Sequence, residues 1–244
     1  MIEVENAEGL MVWLMHFLAD RFGNSAVLKG GMELRLLNCP RHTNDIDYVF
    51  VPFSSEKDVA RLVVGALDEV PDLRVRHTLN SKCLRCICEH NDIQVQLEIN
   101  VAGECETEEL TTADLARQYN LQGRIVRGIR FDVALAHKIA AWNERGLVRD
   151  IYDCSFMVDI LGIRPCMPTL NRRLDSSQLR TGRSTRKVSM SVKDLVEKLR
   201  KTTASLSAAG VAEQMRDYLT PEELPGLDKK IRVGVSRLIS MLEK

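Results

Sequence analysis

The short apolar run Ala26-Val27-Leu28 stops at Lys29-Gly30-Gly31, and Asp45-Ile46-Asp47 opens the next apolar run, which ends at Pro52. Between them Leu34, Leu36 and Leu37 suggest a turn or two of helix before Pro40, and Ile46 to Val51 reads as a strand. Few chains can carry the order strand, glycine pair, helical turn, strand with two acids at its start. Two glycines let a backbone approach a phosphate closely, because no Cβ stands in the way. The helical turn beyond them aims N–H groups at the same anion. Asp45 and Asp47 are two apart in a strand, so both carboxylates leave one face. Carboxylates so grouped suit one or two Mg²⁺ ions, which take oxygen ligands and substrate phosphates. Metal-bridged phosphates are what nucleotidyl transfer requires. Either half alone says little: a Gly-Gly pair is usually a turn, and D-x-D usually a solvated strand end or a cap.

The elements around this constellation divide the chain. Residues 4–22 read as a helix, with Leu10, Trp13, Leu14, Phe17 and Leu18 on its period and Gly23-Asn24 at its end. Glu56 to Val70 reads as a second helix. Leu84–Glu89 and Ile93–Val101 read as strands joined by a turn at Asn91-Asp92, Gly103 to Asp114 as an acidic loop or short helix, and Arg124–Phe131 as a short strand pair around Gly128. After Asp132 the strand signals stop. Asp132 can cap a helix through Val133 to Arg145, and a second helix runs from Leu147 to Leu161. Residues 162–190, rich in Arg, Ser, Thr and Pro, read as a loop or linker. Helices follow near 191–207, 209–218 and 227–243. The expected class is α+β: a mixed α/β part over 1–131, then an all-helical part over 132–244.

Composition sets limits on function. The 244 residues carry 34 Lys+Arg and 34 Asp+Glu, but the balance is uneven. Residues 1–130 hold 14 basic and 20 acidic side chains, residues 131–244 hold 20 and 14. Arg164 to Lys187 alone has seven basic residues against Asp175, so a polyanionic partner fits the back of the chain better than the front. Aromatics are only 5%, too few for a platform that stacks single-stranded bases. The longest apolar run, Leu10 to Met15, is far short of a membrane span, and Glu3, Glu5 and Glu8 do not suit a secretory signal. Seven cysteines, an odd number, suggest reduced thiols in a cytoplasm. Cys83, Cys86 and Cys88 invite a zinc reading, but only Cys86 and Cys88 share a strand face and no second ligand pair follows, so packed core thiols are expected.

A second block of charge lies on the two helices after Asp132: Lys138-Ile139-Ala140-Ala141-Trp142-Asn143-Glu144-Arg145 and Arg149-Asp150-Ile151-Tyr152-Asp153. Lys138 and Arg145 share a helix face. Arg149 and Asp153 are at i,i+4, and Asp150 and Asp153 at i,i+3. Surface ion pairing explains this spacing, and so does a site that needs a cation beside metal-bound phosphates.

Two stretches carry a family resemblance. Val27-Leu28-Lys29-Gly30-Gly31-Met32-Glu33-Leu34-Arg35-Leu36 with Arg41-His42-Thr43-Asn44-Asp45-Ile46-Asp47 resembles motif I of the nucleotidyltransferase superfamily, and more narrowly the AbiEii/AbiGii toxin family. The Lys138–Arg145 and R-D-x-x-D block is similar to that family's paired-helix pattern, so the likeness spans roughly residues 26–161. Met32-Glu33 and Cys154 depart from the pattern, where small or aliphatic residues are expected. The resemblance implies a nucleotidyltransferase-type mixed sheet followed by a helical part that contributes to the active site. It implies a Mg²⁺-dependent transfer of a nucleoside monophosphate from a nucleoside triphosphate, in the toxin of a toxin–antitoxin or abortive-infection module. An antitoxin partner and a tRNA or other RNA acceptor go with that reading. Asp45 and Asp47 then hold metal, Gly30, Gly31, Lys29 and Thr43 contact nucleotide, and Lys138 and Asp150 act on triphosphate and acceptor with Arg145 and Arg149 in support.

Two features stay open at this level. Glu98, in Val95-Gln96-Leu97-Glu98-Ile99, reads either as a third metal ligand or as part of the polar face formed with Gln94, Gln96 and Asn100. Arg172, Arg173, Arg183 and Arg186 read either as a solvated linker or as an arm that neutralises phosphates of an RNA acceptor. A small-molecule transferase of the aminoglycoside type, or a non-catalytic nucleotide-binding regulatory module, are the competing functions.

Overall fold

The computed structural model describes residues 2–80, 83–181 and 184–244, with the side chains of 178–186 outside the described set. Two compact units follow one another, Met1–Arg130 and Phe131–Lys244.

The first unit is built on a seven-stranded mixed sheet in the order β3-β4-β5-β2-β1-β7-β6. Helix α1 (Ala7–Phe22) leads into β1 (Ala26–Lys29), α2 (Gly30–Leu36), β2 (Asp45–Phe50) and α3 (Glu56–Asp68). Asn6 caps α1 by accepting from the Gly9 N–H, and Ser55 caps α3 through the Lys57 N–H. Strands β3 (Arg74–Asn80), β4 (Cys83–His90) and β5 (Ile93–Val101) form a meander, followed by β6 (Thr107–Thr111), α4 (Ala113–Arg117) and β7 (Ile125–Ile129). Strand β2 runs antiparallel to β1 and parallel to β5.

The two sheet faces differ sharply. Ile46, Tyr48, Leu84, Cys86, Cys88, Val95, Leu97 and Ile99 are buried, and α1 and α3 pack against the strands that carry them. Asp45, Asp47, Gln96, Glu98 and Arg85 alternate with these residues and lie on the opposite, partly open face. Burial pushes the Cys86 and Cys88 thiols up to about 12, the behaviour of core thiols. Among the described residues no group of cysteines and histidines could hold a metal.

Three local expectations change here. Strand β3 had no expected counterpart, the acidic segment after Gly103 contains β6, and the pair around Gly128 is a single strand, β7, whose partner is β6. The reason is position. Strands β3 and β6 are the sheet's two edges, where little side-chain area is buried and no apolar alternation is demanded.

The second unit is helical, with one addition. Helices α5 (Phe131–Arg145) and α6 (Val148–Asp159) pack together, α10 (Leu227–Leu242) lies on α6, and α8 (Val192–Ser205) and α9 (Ala208–Met215) pack on α10. Trp142, Leu135, Ile139, Met157, Leu170, Leu195, Ile231 and Leu238 form its core. Helix α5 begins at Phe131, one residue before the expected cap, and the Asp132 side chain accepts from the Val133 N–H instead. Within the expected 162–190 linker lie α7 (Met167–Leu174) and a hairpin of β8 (Ser177–Thr181) and β9 (Ser184–Val188). Pro168 falls in the first turn of α7, where a missing N–H costs nothing, so the proline that suggested a loop is compatible with helix. No described helix is long and apolar enough to cross a membrane.

Candidate active site

In the first unit β1 ends at Lys29, and the chain turns into α2 through Gly30 at φ +81°. A Cβ built on Gly30 would stand 2.4 Å from Asp47 Oδ2, and one on Gly31 would stand 2.5 Å from Thr43 Oγ1. The glycines are therefore required first by the site's own side chains, which occupy the space their missing Cβ atoms leave. Sequence reasoning had assigned that space to phosphate. Thr43 is buried and donates from Oγ1 to Asp45 Oδ1 at 2.9 Å, which orients that carboxylate. Lys29 stands opposite Asp47 in the β1–β2 register, with Nζ 3.4 Å from Oδ1.

Glu98 joins this group through register. It pairs with Asp47 across the parallel β2–β5 ladder, so the two carboxylates leave the same face side by side. Its side chain keeps 25% of its exposure, less buried than the flanking apolar residues suggested. Its Oε1 accepts from Arg85 and from Gln96. Among the described residues no three carboxylate, imidazole or thiol groups converge closely enough to hold a metal in this conformation. Asp45, Asp47 and Glu98 nevertheless present hard oxygen donors along one open face.

In the second unit the expected charges form buried pairs rather than surface ones. Lys138 Nζ on α5 lies 2.6 Å from Asp153 Oδ2 on α6, and Asp153 is 1% exposed. Arg145 reaches both oxygens of Asp150, with Nε at 3.1 Å and Nη2 at 2.7 Å, and Asp150 is 2% exposed. Burial pushes the Asp150 carboxyl upward from its ordinary value; Arg145 and Lys138 oppose that, and Asp153 adds to it. Arg149 donates to the Tyr218 hydroxyl at 3.0 Å with its guanidinium 5.6 Å from the ring centre. Cys154 is fully buried, its thiol pushed well above its ordinary value chiefly by burial.

A pH prediction follows from Asp150. A carboxyl whose folded pKa is raised favours the folded state when protonated, and that benefit is lost as pH rises from its ordinary 3.8 through the folded value. Arg145→Gln removes the opposing cation and raises the folded pKa further. Its stability cost is about 1–2 kcal/mol at pH 7, the lower part of the range for hydrogen bonds to charge because Arg145 is half exposed. The deficit shrinks as Asp150 takes up its proton. Urea unfolding followed from pH 7 down towards the ordinary 3.8 measures it, and a deficit constant over that range would contradict it.

The basic segment is less available than its sequence suggested. Arg173 reaches both oxygens of Glu144, at 3.2 and 3.1 Å, and lies 3.2 Å from His137 Nδ1, so it ties α7 to α5. Arg172 is exposed, 3.1 Å from Thr169 Oγ1. Arg183 lies outside the described residues, as does the side chain of Arg186 on β9. Two partners escaped sequence reasoning. Asp153 was quoted within R-D-x-x-D but given no role. Arg85 was not singled out, although a two-residue turn at Asn91-Asp92 sets it directly opposite Glu98 in the β4–β5 hairpin.

The sequence model of the family described as nucleotidyl transferase AbiEii toxin, Type IV TA system, matches residues 14–229. No curated protein matches the sequence. Among solved structures the fold is similar to that of MenT4, a nucleotidyltransferase toxin from Mycobacterium tuberculosis H37Rv. The TM-score is 0.58 at 16% identity, over 95% of this chain and 84% of that one.

Proposed function

Because the chain belongs to the nucleotidyl transferase AbiEii toxin family and is a nucleotidyltransferase, we propose that it moves a nucleoside monophosphate from a triphosphate to an RNA, with tRNA the favoured acceptor. Membership of a toxin family brings a nucleotide substrate and an antitoxin partner with it. The observation that carries the chemistry is the seating of Asp47 against Gly30, with Asp45 held by Thr43 on the same open sheet face.

The residues fit Mg²⁺ by donor chemistry: Asp45 and Asp47 would hold one or two ions, with Glu98 the third carboxylate. When bound, the metal supplies charge stabilisation at the attacking and leaving oxygens. The protein's own groups do the rest. Gly30 and Gly31 keep Asp47 and Thr43 drawn in, and Lys29 and Lys138 neutralise triphosphate charge. Arg145 and Arg149 support that charge, Arg145 through its grip on Asp150. Asp150, with its carboxyl raised by burial, suits the taking of a proton from the acceptor hydroxyl. The hydroxyl oxygen attacks the α-phosphorus, the bond to the β-phosphate oxygen breaks, and pyrophosphate leaves. Positioning and electrostatics account for most of such catalysis. Arg172, exposed on α7, is the RNA contact this reading retains from the basic segment.

The test is transfer of radiolabel from each of the four α-labelled nucleoside triphosphates into total tRNA with Mg²⁺, comparing wild type with Asp45→Ala. Label in tRNA with wild type and none with the variant supports the proposal. Pyrophosphate release without labelled RNA would overturn the RNA acceptor, and equal labelling by Asp45→Ala would overturn the metal assignment.

A further inference from the structure

Four charged side chains cross the open face of the sheet in one row. Lys29 on β1 faces Asp47 on β2, Asp47 faces Glu98 on β5, and Glu98 faces Arg85 on β4. The order is cation, carboxylate, carboxylate, cation. Adjacent carboxylates repel, so each needs a counter-charge when no dication lies between them. Lys29 stands 3.4 Å from Asp47. Arg85 holds Glu98 more closely, with Nε at 3.0 Å and Nη2 at 2.7 Å from the single oxygen Oε1, and Gln96 Nε2 donates to that oxygen at 2.9 Å. All three donors sit on Oε1, so a dication reaches Glu98 either by replacing a donor there or through Oε2 beside the guanidinium. In both positions it meets the positive charge of Arg85, which repels it.

We propose that Arg85 is the counter-ion with which a divalent cation competes for Glu98, so that this arginine sets how tightly the site takes its metal. The proposal rests on Glu98 being the third metal ligand. Arg85 is then a positioning residue: it acts on the metal through Glu98. Its side chain is half exposed, and exposed ion pairs are weak, so the exchange costs little. The pair holds the Glu98 side chain on the site's face until the metal arrives, at the expense of some metal affinity.

The test is Mn²⁺ binding to the full chain without nucleotide, read from the electron paramagnetic resonance signal of free Mn²⁺. Wild type is compared with Arg85→Gln, Glu98→Gln, the double variant and Asp47→Asn. Arg85→Gln is expected to bind Mn²⁺ about fivefold more tightly, since it loses a competitor whose pairing is of the exposed kind. Glu98→Gln is expected to bind more weakly, and adding Arg85→Gln to it is expected to change nothing further. A damaged fold would weaken binding, the opposite direction. Weaker or unchanged binding by Arg85→Gln, with Glu98→Gln still impaired, would overturn the proposal while leaving Glu98 a ligand. Equal tightening by Arg85→Gln in both backgrounds would also overturn it, because the effect would then not pass through Glu98. Wild-type affinity in Glu98→Gln, with binding lost in Asp47→Asn, would remove the ligand role on which the proposal stands.

Discussion

Gly30→Ala is expected to lower kcat for nucleotidyl transfer by about 10²- to 10³-fold, the scale on which a preorganised charge-stabilising group acts. Two effects meet at one atom. The backbone at Gly30 has φ +81°, which a Cβ disfavours by roughly 1–2 kcal/mol. That Cβ would also fall 2.4 Å from Asp47 Oδ2 and 3.1 Å from Asp47 Cβ and Cγ, so the carboxylate must leave its place. Asp47→Asn is the comparison, because it keeps the shape and removes the charge. It is expected to lose a similar factor in kcat without the backbone strain. Steady-state kinetics with thermal unfolding separates the two: both variants are slow, and only Gly30→Ala melts lower, by roughly 3–6 °C. A Gly30→Ala enzyme with wild-type kcat would contradict the seating of Asp47 as the feature that carries activity.

Lys138→Met is expected to destabilise the protein by about 3 kcal/mol as well as to inactivate it. Asp153 is 1% exposed, and Lys138 at 2.6 Å is the cation that offsets its charge. Removing one member of a buried pair typically costs about 3–5 kcal/mol, because the remaining charge stays out of water; Lys138 itself is partly exposed, which places the value at the low end. Replacing both members with apolar groups is far less costly. The double variant Lys138→Met/Asp153→Leu is therefore expected to recover most of the stability and none of the transfer activity. Denaturant unfolding together with the labelling assay measures both. Activity returning with stability would show that Lys138 serves only the fold. Unchanged stability in the single variant would show that the pair is not a structural tie.

Much of the first unit could be read without its structure. Ile93–Val101 was bounded by sequence as the structure has it, because a central strand buried on one face must alternate. The edge strands β3 and β6 were missed for the converse reason, since His77, Thr78 and Glu109 have little to bury. Helix α7 and the β8–β9 hairpin were hidden by a composition that resembles a linker. At the site, Asp45, Asp47, Gly30, Gly31 and Thr43 lie together in the first unit, and Lys138 pairs with Asp153 and Arg145 with Asp150 in the second. Arg173, which the sequence left open between a solvated linker and an arm for an acceptor, pairs with Glu144.

What the amino-acid order determined by itself is local: where the central strands and most of the helices lie, and that Asp45 and Asp47 share a face. These follow from backbone sterics and from periods of two and 3.6 residues, which act over a few positions. The tertiary structure decided the partners. Lys29 meets Asp47 across 18 residues, Arg85 meets Glu98 across 13, and Lys138 meets Asp153 across 15. Each pairing depends on the register of a ladder or the packing of two helices. Only those long-range contacts decide that the glycines make room for Asp47 and Thr43, and that the charges of the second unit are buried pairs rather than a solvated surface.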